Sequence, residues 1–258
     1  MDLSNVYLAL GLTLLAGLST GIGSAIAYFI KKPKLSYLSF SLGLSAGVMV
    51  YISFVELLPS AIGTVGEFWG VTSFFIGILF IAIIDLIIPE AENPHEFKQI
   101  SDSDGVVKNG TLLRASVFTA VAIAIHNFPE GLVTFSTALS DINLGIVIAI
   151  AIAIHNIPEG ISVSVPFFYS TGDRKKSFLY SFLSGLSEPL GAVISFLILM
   201  PFLTPAILAL LLSFVAGIMI YISLDELLPL AHRYGHNHVV ILGVVFGMLI
   251  MAISLLFL

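Results

Sequence analysis

Long apolar runs separated by short polar segments fill almost the whole chain. A membrane-spanning helix needs about 20 predominantly apolar residues to cross roughly 30 Å of hydrocarbon. Eight runs have that length, at about residues 6–30, 37–59, 68–89, 113–139, 142–168, 177–200, 203–230 and 238–258. The runs show no period-2 alternation, which favours helices over a β-barrel. We therefore predict an all-α membrane protein with eight transmembrane helices.

The basic residues indicate how these helices are oriented. All ten Lys and Arg fall in or beside the loops that join helices 1 and 2, 3 and 4, 5 and 6, and 7 and 8. Since Lys and Arg accumulate in cytoplasmic loops, we predict that these loops are cytoplasmic and that both termini lie outside. The long connection at about residues 90–112 is then a polar cytoplasmic loop. The whole chain, residues 1–258, is read as one transmembrane domain.

Composition supports the membrane interpretation. Of the 258 residues, 58% are hydrophobic and 10% are charged, whereas soluble domains carry about 25% charged residues. The chain has no cysteine, which excludes disulfides and thiolate metal ligands. The first apolar run continues to Ile30 before the first lysine, so it is read as a retained helix and not as a signal peptide. We expect a multi-pass protein of the inner or plasma membrane. Its partner is the lipid bilayer, and we expect it to bind no nucleic acid.

Two internal repeats organise the predicted helices. GVMVYISFVELLP at 47–59 returns as GIMIYISLDELLP at 217–229, with 9 of 13 positions identical. These copies lie in helices 2 and 7, which cross the membrane in opposite directions, as in inverted-repeat transporters. AIAIHNFPEG at 122–131 returns as AIAIHNIPEG at 151–160, in the consecutive helices 4 and 5. The predicted arrangement is 3+2+3, with helices 1–3 inverted relative to helices 6–8.

Five ionisable residues lie near the centres of predicted spans: His126, Glu130, His155, Glu159 and Glu188. A charge at that depth costs at least about 2.5–3.5 kcal/mol on insertion scales. No Lys or Arg lies inside any predicted span to neutralise the acids. A bound cation is the strongest remaining candidate for that role.

The spacing within HNxPE supports a metal site. His and Glu are four residues apart and lie on a single helix face, and Asn and the same Glu are three apart and also adjacent, so each Glu can face one metal shared with His and another shared with Asn. We infer a primary site of His126, Glu130, His155 and Glu159, and a second site of Asn127, Glu130, Asn156, Glu159 and Glu188, bridged by the two shared glutamates. Each motif proline removes a backbone donor and frees a carbonyl nearby. Imidazole and carboxylate ligands without sulfur suit Zn²⁺, Fe²⁺, Mn²⁺ or Co²⁺.

Other interpretations of the polar residues stay open. Glu56 and Glu226 occupy matching repeat positions and are either ligands where the ion enters and leaves or ordinary interfacial carboxylates. An intramembrane metalloenzyme would need a separate general base and an open coordination position. HExxH is absent, and a transporter of anionic solutes would need a cationic group that the spans lack. We therefore predict a transporter and not an enzyme.

The motifs match a known family. HNFPEG and HNIPEG in successive helices, followed by GLSEPLGA at 185–192, resemble the ZIP metal-transporter family, and within it the bacterial ZupT-type subgroup. The resemblance implies import of Zn²⁺ foremost, with Fe²⁺ and other divalent ions such as Mn²⁺, Co²⁺ and Cd²⁺ also accepted. These ions are transported substrates, and we expect no cofactor.

Carried over motif by motif, the family's metal ligands fall on the residues inferred above: His126, Asn127, Glu130, His155, Asn156, Glu159 and Glu188. The resemblance also suggests an elevator-like or rocking movement of one helix group against another. The sequence leaves open the physiological metal, proton coupling, the direction of transport and whether the protein forms a homodimer.

Overall fold

A computed structural model describes residues 3–29, 35–87, 110–199, 202, 204–233 and 236–256. The helices are α1 (Leu3–Phe29), α2 (Leu35–Ile52), α3 (Leu58–Val65), α4 (Glu67–Ile87), α5 (Gly110–Ser140), α6 (Ile142–Thr171), α7 (Arg174–Gly185), α8 (Ser187–Ile194), α9 (Pro205–Ile222), α10 (Leu228–Arg233) and α11 (Asn237–Leu255). These described ranges contain no β-strand, so the all-α prediction is confirmed for them. Most of the predicted loop at 90–112 lies outside them.

Seven stretches of the described chain are long and apolar enough to cross a membrane. They are Asn5–Ala25, Ser39–Val65, Glu67–Leu86, Ile142–Val165, Arg174–Ile198, Pro205–His232 and Asn237–Leu255. Each coincides with one predicted span. The predicted span 113–139 falls within α5, which is 31 residues long but is not one of the seven. Although α5 carries the same HNxPEG motif as α6, it is the more polar of the two helices.

Local sequence explains where several of these helices begin and end. Asp141 caps α6 by accepting hydrogen bonds from the amides of residues 143 and 144. Gly172, with φ of 71°, ends that helix in the left-handed conformation that glycine adopts without strain. Asp173 then caps α7, and Thr204 caps α9. Capping carboxylates and hydroxyls satisfy amides that have no partner inside the helix.

The helices form two groups. The first, here called the site group, consists of α1, α5, α6, α7 and α8, which pack mainly on one another. The second, the support group, consists of α2, α3, α4, α9, α10 and α11. Contacts across the seam run chiefly from α2 to α6 and from α5 to α9. A largely apolar cavity of about 670 Å³ lies on this seam, bounded by α4 and α9 on one side and by α5, α7 and α8 on the other.

Repeated sequence makes repeated contacts in the support group. A Cβ placed on Gly47 of α2 would meet the carbonyl oxygen of Val244 on α11 at 2.1 Å. A Cβ on Gly217 of α9 would meet the carbonyl oxygen of Phe74 on α4 at 2.0 Å. Gly47 and Gly217 hold the same position in the two copies of the long repeat. Close backbone approach at small residues is the usual packing of membrane helices.

The two copies also share an unusual helical segment. Ser53–Leu57 between α2 and α3 is π-helical, and so is Ser223–Leu227 between α9 and α10. Both segments occupy the ISxxEL part of the repeat, and in both the next residue donates its amide to the serine carbonyl. Helical π-segments often occur at functional positions. The repeat found in the sequence is therefore also a repeat of local backbone geometry.

Candidate metal site

The HNxPEG motifs lie in the middle of the two longest helices, α5 and α6. Both helices continue through their motif prolines, Pro129 and Pro158. Six of the seven predicted ligands have described side chains, and each is at most 1% exposed: Asn127, Glu130, His155, Asn156, Glu159 and Glu188. The seventh, His126, lies within α5, and its side chain is outside the part of the chain that the structure describes.

The motifs of α5 and α6 contact each other through a carboxylate and an imidazole. Nε2 of His155 lies 3.2 Å from Oε2 of Glu130. Both side chains are 1% exposed. The histidine of one motif therefore faces the glutamate of the other, across the helix interface. A cation between the helices would meet ligands from both at this depth.

The second contact joins α6 to α8. The side-chain amide of Asn156 donates to Oε1 of Glu188 and to the carbonyl oxygen of Ala16 on α1, the latter at 3.0 Å. Three helices thus meet at this asparagine. Its amide oxygen, Oδ1, is buried and has no hydrogen-bond partner among the described residues. An amide oxygen is an acceptor only, so a cation or a water is the chemistry that would satisfy it.

Asn127 connects α5 to its neighbours in a related way. Its amide lies 3.5 Å from the carbonyl oxygen of Ser184 on α7. With the amide nitrogen turned to face the acceptors around it, Asn127 donates to Ile123 O at 3.1 Å and to Oε2 of Glu159 at 3.3 Å. In that orientation Glu159 of α6 also faces the motif of α5. In that orientation each asparagine donates to a glutamate of another helix, Asn127 to Glu159 and Asn156 to Glu188.

Glycines hold α5 against α8 where the ligands lie. A Cβ on Gly131 would sit 1.9 Å from the carbonyl oxygen of Glu188. Reciprocally, a Cβ on Gly191 of α8 would sit 2.1 Å from the carbonyl oxygen of Phe128. No larger residue fits either position without moving a backbone. Gly131 and Gly191 therefore allow the backbones of α5 and α8 to approach closely.

An equivalent pair of glycine-to-carbonyl contacts joins α6 to α1. A Cβ on Gly160 would sit 2.1 Å from the carbonyl oxygen of Thr20, and one on Gly23 would sit 1.9 Å from that of Ile157. Gly160 and Ile157 are the motif counterparts of Gly131 and Phe128. The α6–α1 pair is thus packed like the α5–α8 pair, which gives the site a local two-fold character.

Electrostatics favours the binding of a cation at this cluster. The buried polar residues that the structure describes include three glutamates and no Lys or Arg. Burying a carboxylate without compensation costs several kcal/mol. In the described part of the chain no three His, Asp or Glu side chains converge as a ready-made metal cage. Among the described contacts, His155 meets Glu130, Asn156 meets Glu188 and, in the turned orientation, Asn127 meets Glu159.

Helices α1 and α7 also contribute contacts to the site, although the sequence motifs do not mark them. Ser181 of α7 donates to the carbonyl oxygen of Gly160 at 2.8 Å, and Ser24 of α1 donates to the Ser181 hydroxyl at 2.6 Å. These bonds tie both helices to the α6 motif. Small and hydroxyl residues recur in both helices, as in LSTGIGS at 18–24 and SFLSGLS at 181–187. This recurrence of small and hydroxyl residues is the sequence feature that indicates close helix contacts in α1 and α7.

The other acidic residues of the repeat lie apart from these contacts. Glu56 and Glu226 are half-buried in the two π-helical segments of the support group. Near Glu226, the Tyr221 hydroxyl donates to Oδ2 of Asp85 at 3.2 Å. Both interpretations of Glu56 and Glu226, as ligands on the ion's path and as interfacial carboxylates, remain predictions.

Comparison with known proteins gives one consistent result. The profile of a family described as ZIP zinc transporter matches residues 89–255. The chain is similar to the zinc transporter ZupT of Clostridium perfringens, with 53% identity over 99% of this chain and 97% of the relative. It is also similar to the proteins of that name from Nitratidesulfovibrio vulgaris, at 53% identity over 99% of both chains, and from Streptococcus mutans, at 54% identity over 98% of both.

Proposed function

This chain belongs to the ZIP zinc transporter family, and from that premise we propose that it imports divalent metal ions, Zn²⁺ foremost, through the buried His/Asn/Glu site. ZIP proteins are membrane transporters and not enzymes. The chain is a multi-pass protein of the cell membrane. The observation that carries the proposal is the contact between His155 and Glu130, both 1% exposed and midway along α6 and α5.

The proposed site holds two metal positions. His126, Glu130, His155 and Glu159 form the first, and Asn127, Asn156 and Glu188, with the same two glutamates, form the second. Support comes from two contacts between helices. The imidazole of His155 contacts the carboxylate of Glu130, and the amide of Asn156 contacts the carboxylate of Glu188. Nitrogen donors suit Zn²⁺, whereas an all-oxygen position suits harder ions. Fe²⁺, Mn²⁺, Co²⁺ and Cd²⁺ are proposed as further cargo.

The proposed topology has eight crossings and both termini outside. Helices 1–3 correspond to α1, α2–α3 and α4, and helices 6–8 to α7–α8, α9–α10 and α11. Helices 4 and 5 are α5 and α6. Support comes from the matched glycine contacts and the matched π-helical segments of the two copies. The capacity of inverted repeats to open to either side suits a transporter whose site lies at mid-membrane.

The proposed movement is a displacement of the site group relative to the support group. All the ligands lie on α5, α6 and α8, so the site would move as one unit. The cavity of about 670 Å³ on the seam supports this proposal, because part of the interface is not closely packed. Tightly interdigitated interfaces resist sliding. The glycine contacts within the site group would keep its ligands together during the displacement.

Uptake of radioactive Zn²⁺ into proteoliposomes tests the function. The wild-type protein is expected to load the vesicles, and Glu159→Ala to abolish loading because it removes a ligand shared by both metal positions. Glu67→Gln is the matched control, since Glu67 is an exposed carboxylate at the start of α4. If wild-type vesicles accumulate no Zn²⁺, Mn²⁺ or Fe²⁺ above protein-free vesicles, the transport proposal fails.

A further inference from the structure

A second cavity, whose wall includes hydroxyl side chains and one carboxylate, lies away from the ligands, at one end of the helix bundle. Its volume is about 350 Å³, and it is enclosed by the ends of α3 and α5 and the beginning of α9. The loops next to these ends join predicted helices 2–3, 4–5 and 6–7, and none of the three carries a Lys or Arg. The proposed topology therefore puts this cavity at the outer face of the membrane.

A line of oxygen-bearing side chains connects the cavity to the metal site. Glu130, Thr134, Thr137 and Asp141 follow one another at spacings of four, three and four residues, which puts them on one face of α5 and its end. With a rise of about 1.5 Å per residue, this line is ~16 Å long. Thr137 and Asp141 line the cavity, and Thr134 donates to the carbonyl oxygen of Glu130 at 2.9 Å.

Thr137 is the unusual member of this line. Its side chain is 2% exposed, and its hydroxyl oxygen has no hydrogen-bond partner among the described residues. Neighbouring hydroxyls in the cavity wall bond to their own helices, Ser140 to the carbonyl oxygen of Ser136 at 3.0 Å and Thr64 to that of Ser60 at 3.0 Å. A buried hydroxyl without a partner is costly. A ligand or water in the cavity would satisfy it.

Asp141 gives the cavity a negative charge. It accepts the amides of Asn143 and Leu144 at the same oxygen, Oδ1, at 2.9 and 3.2 Å. The helix cap therefore uses one of its two carboxylate oxygens. The carboxylate is exposed and makes no ion pair within the described residues. An unneutralised carboxylate at the wall of a cavity attracts cations and raises their local concentration.

We propose that this cavity is an outer cation-binding site, where Asp141 and Thr137 hold a hydrated divalent ion before it moves along α5 to Glu130. The proposal rests on the proposed transport function. Six waters of about 30 Å³ each occupy roughly 180 Å³, so the cavity has room for an ion with its hydration shell. Hydroxyl and carboxylate oxygens suit an ion that keeps its waters.

Two conservative substitutions test the site while sparing the fold. Asp141→Asn removes the charge and keeps a side-chain oxygen that caps a helix about as well as aspartate does. Thr137→Val removes the hydroxyl and keeps the branched shape. Asp173→Asn is the matched control, because Asp173 caps α7 by accepting from the amide of Lys176 at 3.1 Å, at the end of the bundle predicted to be cytoplasmic.

Initial rates of radioactive Zn²⁺ uptake are measured in intact bacterial cells that lack their own zinc importers, so that every transporter has one orientation. Asp141→Asn is expected to raise KM about threefold to tenfold at low ionic strength with an unchanged maximal rate, and the effect should shrink in high salt because exposed charges are screened. Thr137→Val should raise KM by about threefold at either salt concentration, since the loss of a ligand is not screened.

The outcomes separate this site from the transport function itself. Transport by the wild-type protein and its loss in Glu159→Ala test the function alone. The outer site is refuted if Asp141→Asn and Asp173→Asn have the same KM. It is also refuted if Thr137→Val is indistinguishable from wild type, since Asp141 would then act only through its long-range field.

Discussion

Gly131→Ala is the sharpest test of how the helices hold the metal site together. The added methyl would sit 1.9 Å from the carbonyl oxygen of Glu188, whereas ordinary contacts begin at 3.4 Å. Relieving this overlap requires α5 and α8 to separate by about 1.5 Å at this point, because the opposing atom belongs to the backbone. The side chains of a binding site must lie within about 0.5 Å of their productive positions.

The expected loss of metal affinity follows from the hydrogen bond that the separation of α5 and α8 would break. Glu188 accepts a hydrogen bond from Asn156 across the site, and a bond to a charged group contributes about 1.5–3 kcal/mol. At 1.4 kcal/mol per factor of ten, KM for Mn²⁺, an ion of the harder position that includes Glu188, should rise about tenfold to hundredfold. Overpacking costs about 1–3 kcal/mol, and replacing a helical glycine by alanine returns about 1 kcal/mol. We therefore expect the variant to fold.

The assay is initial Mn²⁺ uptake as a function of concentration, with the melting temperature in detergent measured in parallel. Gly11→Ala is the control, because a Cβ at Gly11 of α1 meets nothing within 4 Å. Gly11→Ala should transport as wild type and melt slightly higher. If Gly131→Ala keeps the wild-type KM while folding normally, the close approach of α5 and α8 does not position Glu188, and this reasoning is wrong.

Three further predictions follow from the same contacts. Glu188→Ala should reduce Mn²⁺ and Fe²⁺ uptake more than Zn²⁺ uptake, because it removes an oxygen ligand from the harder position; equal losses in a competition assay would contradict the two-position assignment. Ser181→Ala should lower stability by about 0.5–1.5 kcal/mol through its lost bond to Gly160, seen as a lower melting temperature, with Ser41→Ala on α2, a half-buried serine, as control. Ala124→Phe should fill part of the cavity between the two helix groups and slow maximal uptake several-fold while equilibrium Zn²⁺ binding stays unchanged; weakened binding would show that the cavity belongs to the site.

The local features of this protein can be predicted from its sequence because each depends on nearby residues alone. Apolar runs of about 20 residues predict membrane helices, and seven of the eight predicted runs have the length and composition of spans in the described chain. The helical spacing of HNxPEG puts both His155 and Asn156 next to Glu159 whatever surrounds α6. The repeat at 47–59 and 217–229 predicted two equivalent segments, and both contain a π-helical turn.

Only the tertiary structure decided which helices face one another. The sequence indicated that Glu130 and His155 lie at similar depth, but their 3.2 Å contact depends on how α5 packs on α6. The carbonyl oxygens of Ala16 and Ser184 carry no residue-specific pattern, so their contacts with Asn156 and Asn127 were not predictable. Such contacts are set by backbone distances of a few ångströms between helices far apart in sequence. Spacing along one helix cannot fix those distances, because they depend on the packing of all the helices around the site.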